Sequence, residues 1–177
     1  MKTNQILQVL HVVAWIVFIG LCIQTGSMAY ASFVSLFINP VAAKDLYLGL
    51  DLSAVLEHNQ LHYIYVLSFV LSVGILKASI FYYAIKIASK ATIENPFSTE
   101  ITNLLTTISQ LAVSVGILAL LTMQFGKWLL KHGVNINAVY EYTGNGMEFL
   151  LIAALVFLVA QIIRKGVELQ TENSLTI

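Results

Sequence analysis

The chain of 177 residues is 58% hydrophobic and 10% charged, with nine lysines and arginines balanced by nine aspartates and glutamates. Ordinary globular domains carry about 25% charged residues, and here the apolar residues stand in long continuous runs rather than at a strand or helix-face spacing, so lipid rather than water is the solvent. A molecule without net charge has no basic field to hold a polyanion, which argues against direct nucleic-acid binding.

Four apolar runs follow one another: Ile6 to Met28, Leu61 to Ile87, Ile101 to Gln124, and Met147 to Ile163. About 20 apolar residues in a helix cross the hydrocarbon of a bilayer, and unpaired backbone groups exclude open strands there. The expected fold is therefore an all-α membrane protein: four transmembrane helices in a bundle, at about 6–37, 61–87, 100–125 and 147–170, in a single domain spanning 1–177. The first run, after Lys2, imitates a secretory signal ending at Ala29-Tyr30-Ala31. Its length exceeds the roughly 7 to 15 apolar residues of such signals and it continues from Phe33 to Ile38, so it is read as a retained helix with a bend expected at Gly26-Ser27. Cys22, the single cysteine, lies inside it and reads as a small hydrophobe with no disulfide partner.

The loop after the first run alternates Leu46, Leu48, Leu50 and Leu52 with Tyr47, Gly49 and Asp51, and Val134 to Asn137 alternate in the loop after the third run. Strand period predicts a small extracytoplasmic β cap; the alternative is a pair of irregular loops with interfacial leucines. Between the second and third runs, Asn95-Pro96-Phe97-Ser98 interrupts the chain, with Asn95 or Ser98 as helix cap and Glu100 placed for the dipole. Asn145-Gly146 plays that part before the fourth run. Lys2, Lys86, Lys90, Arg164 and Lys165 fall on one side, against Lys44, Lys127 and Lys131 on the other; the positive-inside bias puts both termini in the cytoplasm.

Within the runs Lys77 stands out, because a Lys at a helix centre costs about 2.5–3.5 kcal/mol on insertion scales. It is expected either to snorkel toward the cytoplasmic interface or to be met by the Gln110 amide at the same depth, with Ser109, Ser72 and His11 as further partners. His58 and His62, beside Glu57, share an i, i+4 spacing that places both imidazoles on one face; a metal would need a third ligand from His132, Glu141 or Glu148. No nucleophile elbow and no intramembrane aspartate occur, so no enzyme activity and no cofactor are expected. After the fourth run, residues 164–171 continue as a cytoplasmic helical extension with Arg164 and Glu168 at i, i+4, and Ser174 to Ile177 read as a β-prone hook.

Glu94-Asn95-Pro96-Phe97-Ser98 and the closing sequence from Gln161 to Ile177, set in this four-run layout, resemble a bacterial membrane family known as domain of unknown function 2975. The likeness spans the chain. Its specific part is carried by Ile163, Arg164, Gly166, Leu169, Glu172, Leu175, Thr176 and Ile177; Ser174 stands where an aspartate is usual and Ile163 where a phenylalanine is. The resemblance implies a bacterial inner membrane and a genomic neighbour encoding a small Cro-like helix-turn-helix regulator, and no established activity. Together these readings lead to the expectation of a non-enzymatic regulatory protein embedded in the bilayer. Its inner face and tail, through Arg164, Gly166, Leu169, Glu172, Leu175, Thr176 and Ile177, would recruit a soluble cytoplasmic DNA-binding regulator. The alternatives are a small transporter or ion-coupled component centred on Lys77, and an envelope metal or stress sensor using His58 and His62.

Overall fold

The computed structural model describes residues 3–90 and 98–174, and its regular elements there are all helical. There are four long helices, α1 (Thr3–Phe37), α3 (Gln60–Lys90), α4 (Thr99–Lys131) and α6 (Gly146–Ser174), with the short α2 (Ser53–His58) between α1 and α3 and the short α5 (Asn137–Thr143) between α4 and α6. A 3-10 turn at Pro40–Lys44 precedes α2. Four segments are long and apolar enough to cross a membrane: Leu7–Phe37, Gln60–Lys90, Thr99–Lys131, and Asn137–Glu172, which takes in both α5 and α6. A helix of 31 residues reaches about 46 Å at about 1.5 Å per residue, against about 40–45 Å of bilayer with its headgroups. α1 runs through Gly26 and Ser27 as unbroken helix.

The boundaries follow from local chemistry. Asn39 accepts at Oδ1 from the Val41 N–H (3.0 Å) and Pro40 opens the 3-10 turn. Asn59 accepts from the Leu61 N–H (2.8 Å) to start α3. Ser98 accepts at Oγ from the Ile101 N–H (3.2 Å), as its place before Glu100 predicts. Lys90 pairs with Glu100 across the connection, fixing the end of α3 beside the start of α4.

Close packing runs from α1 to α3, from α3 to α4 and from α4 to α6. Among the described residues α1 and α6 are not in close packing, so the four spans of the expected bundle stand as an open row in chain order. The reason lies in which faces are small or polar. On the α4–α6 seam Ala112, Gly116, Ala153 and Ala160 are buried and the Ser109 hydroxyl donates to the Ala153 carbonyl (3.0 Å). Such small-residue faces let backbones approach where lipid removes the hydrophobic drive. Between α1 and α3 the Ser35 and Tyr63 hydroxyls share a buried hydrogen bond (2.7 Å). The outward faces of α1 and α6, such as Ile16 and Leu151, stay apolar and exposed, which suits contact with lipid.

A hydrophobic core lies at the end of the molecule that carries the short elements, where Leu50, Leu52, Val55, Tyr63, Val66, Leu129 and Val139 are buried together. No strand forms among the described residues, so the alternating loops do not pair as a β cap. Leu48 (φ 45°) and Gly49 (φ 84°) turn the first loop back on itself, closed by the Leu46 N–H on the Leu50 carbonyl (2.9 Å) and by the Gly49 N–H on the Asp45 carboxylate (2.9 Å). The alternation survives only as burial: Leu46, Leu50 and Leu52 point inward while Leu48 is 81% exposed. Asp51 accepts from both the N–H and the hydroxyl of Ser53, the first residue of α2, and these bonds hold its carboxyl below the usual carboxylate range. In the second loop Asn135 accepts from the Asn137 N–H (2.8 Å) and begins α5.

Candidate functional site

The fourth column of the molecule is a broken helix. α5 descends along α4, the chain turns at Gly144-Asn145, and α6 continues along the same face of α4. The register is constant throughout: Ile136 lies against Gly126, Gly146 against Gly116, and Ser109 bonds Ala153. Gly144 ends α5 with φ 77° and ψ −174°, a conformation open in practice only to glycine, and its N–H donates to the Tyr140 carbonyl (2.8 Å). Asn145 then accepts from the Met147 N–H (3.0 Å) and donates to Glu148 (3.0 Å), capping α6. At Gly146 a Cβ would lie 2.6 Å from the Gly116 carbonyl, so the two backbones touch where α6 begins.

A helix broken inside a membrane leaves its last carbonyls without partners, and its C-terminal end carries partial negative charge. Lys77 meets that end. Its ammonium donates to the Tyr142 carbonyl (2.7 Å) and lies 5.3 Å from the centre of the Phe149 ring. Lys77 therefore stands at the position that a coordinated cation occupies in other discontinuous helices. It is half-buried, beside a small chamber of about 100 Å³ lined by Gln24, Thr25, Gly74, Glu141 and Tyr142. The ammonium has three donors, so two remain beyond the Tyr142 bond, and a polar chamber of that size has room for water.

This placement corrects both sequence expectations for Lys77. Gln110 is exposed on α4, Ser109 is bonded to Ala153, and His11 accepts from the Trp15 indole (3.0 Å). Nor does the ammonium run toward the Lys90 end: side chains on a helix lean toward its N-terminus, which on α3 carries Lys77 toward the capped end. Tyr142, Gly144, Gln24 and Thr25 were not singled out from the sequence. The signal available was Thr143-Gly144-Asn145-Gly146 as an interruption inside one long span rather than as the start of a helix.

His58 and His62 lie on different helices, because extended Asn59 (φ −167°, ψ 124°) separates α2 from α3. Their rings still stack at 5.5 Å, and the His62 ring stands edge-on to Trp128 (5.1 Å) and Phe125 (5.9 Å). The buried Nδ1 of His62 has no hydrogen-bond partner among the described residues. His132 instead turns to the Trp128 carbonyl (2.8 Å). No group of three or more His, Cys, Asp and Glu able to hold a metal gathers among the described residues.

The C-terminal residues occupy the end of α6. The α4–α6 register puts Ile163 level with Thr99, where α4 begins, so 164–174 run beyond it by about 16 Å. Arg164, Lys165 and Leu169 are exposed and Gly166 and Val167 half-buried. Glu168 pairs with Lys165 at 3.1 Å rather than with Arg164, as expected from the spacing. Thr171 and Glu172 are also on this helix, while Leu175, Thr176 and Ile177 lie outside the described residues, as does Asn95.

No curated protein matches this chain, and no solved structure does. A family model described as protein of unknown function (DUF2975) matches residues 52–177, which takes in α2 to α6 and the closing signature but leaves out α1. The chain belongs to the DUF2975 family.

Proposed function

We propose that this protein is a non-enzymatic regulatory protein of the bacterial inner membrane, with both termini in the cytoplasm, that recruits a soluble partner through the projecting end of α6. The observation that carries the reading is the length of α6. Its overhang beyond α4 exceeds what membrane crossing requires, and a helix projecting about 16 Å presents side chains where a soluble protein reaches them. Lys86, Lys90, Arg164 and Lys165 gather at this end, as the positive-inside bias asks of a cytoplasmic face, whereas Lys44, Lys127 and Lys131 belong to the capped end. The partner is a small helix-turn-helix regulator, the class implied by the sequence resemblance. Arg164, Leu169 and Glu172, continued by Leu175, Thr176 and Ile177, form the recognition segment.

Co-purification in detergent tests this reading. The full chain is expected to retain the product of the neighbouring regulator gene, and a chain ending at Ile163 is expected to lose it while reaching the membrane at the same level. Equal retention by the two places recognition elsewhere.

A second reading has its own observation, since the Lys77 ammonium occupies a broken-helix end beside a polar chamber. An ion-coupled component would use Lys77 as a tethered cation that exchanges with a mobile one. Ion flux into liposomes that responds to Lys77→Ala favours this reading, and absence of flux removes it.

A further inference from the structure

A second cavity lies outside the Lys77 chamber and the projecting tail. Along the outer half of the α4–α5 seam runs an open groove of about 510 Å³, with Leu120, Met123 and Leu130 on its wall, Asn145 at its floor, and Lys127 and Asn137 at its rim. Met123 and Leu130 are 39% and 54% exposed, so the groove opens on the surface that a bilayer would meet. No carboxylate lines it. Lys131, one helical turn beyond Lys127, shares its face, and both ammonium groups are exposed without an ion pair among the described residues.

The height of these lysines identifies the occupant. Lys127 lies 27 residues beyond Glu100 on one unbroken helix, about 40 Å along its axis. With Glu100 and Lys90 at one surface of the bilayer, that distance places Lys127 at the headgroups of the other, since the bilayer with its headgroups measures about 40–45 Å. Trp128 beside it is the residue type that favours this level. From the rim the apolar wall descends toward the membrane interior, past Met123 and Leu120.

We propose that the groove holds one acyl chain of a phospholipid with an anionic headgroup, and that Lys127 and Lys131 hold the headgroup. The two lysines select net negative charge, while the wall of the groove takes any saturated chain.

Native mass spectrometry of the full chain from detergent tests this, with phosphatidylglycerol and phosphatidylcholine of identical acyl chains as competing probes. The protein is expected to retain phosphatidylglycerol in preference. Lys127→Gln should weaken that retention about fivefold and the Lys127→Gln, Lys131→Gln pair about 25-fold, from about one such factor per juxtamembrane lysine. Lys44→Gln, at the same end but away from the groove, should change nothing. Met123→Trp, which fills the wall, should lower retention of both lipids. The unaltered protein gives an independent reading, because raising salt from about 0.1 M to about 1 M should erode the preference for phosphatidylglycerol. Equal retention of the two lipids, or a preference unmoved by salt or by the double substitution, overturns the proposal. Unchanged lipid retention in Met123→Trp overturns the acyl-chain assignment, and displacement of the lipid by free glycerol phosphate at matched concentration shows a soluble-anion site instead.

Discussion

Lys77 shows how a single side chain is placed by geometry that composition does not reveal. Its cost in an apolar helix was legible in the sequence, and so was its need for a partner. The partner was not, because the Tyr142 carbonyl becomes available only where α5 stops, and a backbone acceptor carries no sequence signal. The consequence reverses an expectation. From the sequence, Lys77→Met removes a desolvation penalty and should be neutral or stabilising. In the structure it also leaves a part-buried carbonyl without its donor, a loss of about 1–3 kcal/mol. Because the ammonium is half-buried beside a chamber with room for water, removing it relieves little desolvation, and at about 2–4 °C per kcal/mol for a chain of this size Lys77→Met should melt about 5 °C lower in detergent. An unchanged or higher melting temperature would show that the desolvation relieved matches or exceeds the loss of the Tyr142 bond.

The elements divide into those that the sequence specifies and those that it leaves open. Expected spans of about 6–37, 61–87, 100–125 and 147–170 compare with Thr3–Phe37, Gln60–Lys90, Thr99–Lys131 and Gly146–Ser174, since continuous apolar runs and the caps Asn39, Asn59 and Ser98 fix them locally. The short helices were missed. Seven residues such as Asn137–Thr143 are too few to separate a period of 2.0 from one of 3.6, and the leucine alternation at 46–52 results from a tight turn rather than a strand. The break at Gly144 has a sharp test. Gly144→Ala forces a side chain into a positive-φ conformation and sets its Cβ 3.1 Å from the Phe149 ring, so a loss of about 1–3 kcal/mol is expected. Gly20→Ala, inside α1 with nothing within 4 Å of its Cβ, should leave thermal stability unchanged or raised. Equal behaviour of the two variants in a melting series would contradict the broken-column geometry.

For the whole molecule, an open row of spans is capped at one end by α2, α5 and the 3-10 turn and extended at the other by α6. Its four helices of membrane-crossing length were legible because lipid demands long apolar runs. Its row arrangement was not, because whether α1 meets α6 depends on which helix faces carry small residues, as on the α4–α6 seam. Partner recruitment requires that the projecting end of α6 lie in the cytoplasm, and cysteine accessibility measures this most directly. In a chain with Cys22→Ser, single cysteines would replace Asn137 in the cap and Leu169 in the overhang. A membrane-impermeant maleimide applied to intact cells should label the cysteine at Asn137, and should label the one at Leu169 only after the membrane is opened. Labelling at Leu169 in intact cells, with Asn137 protected until lysis, would contradict the account.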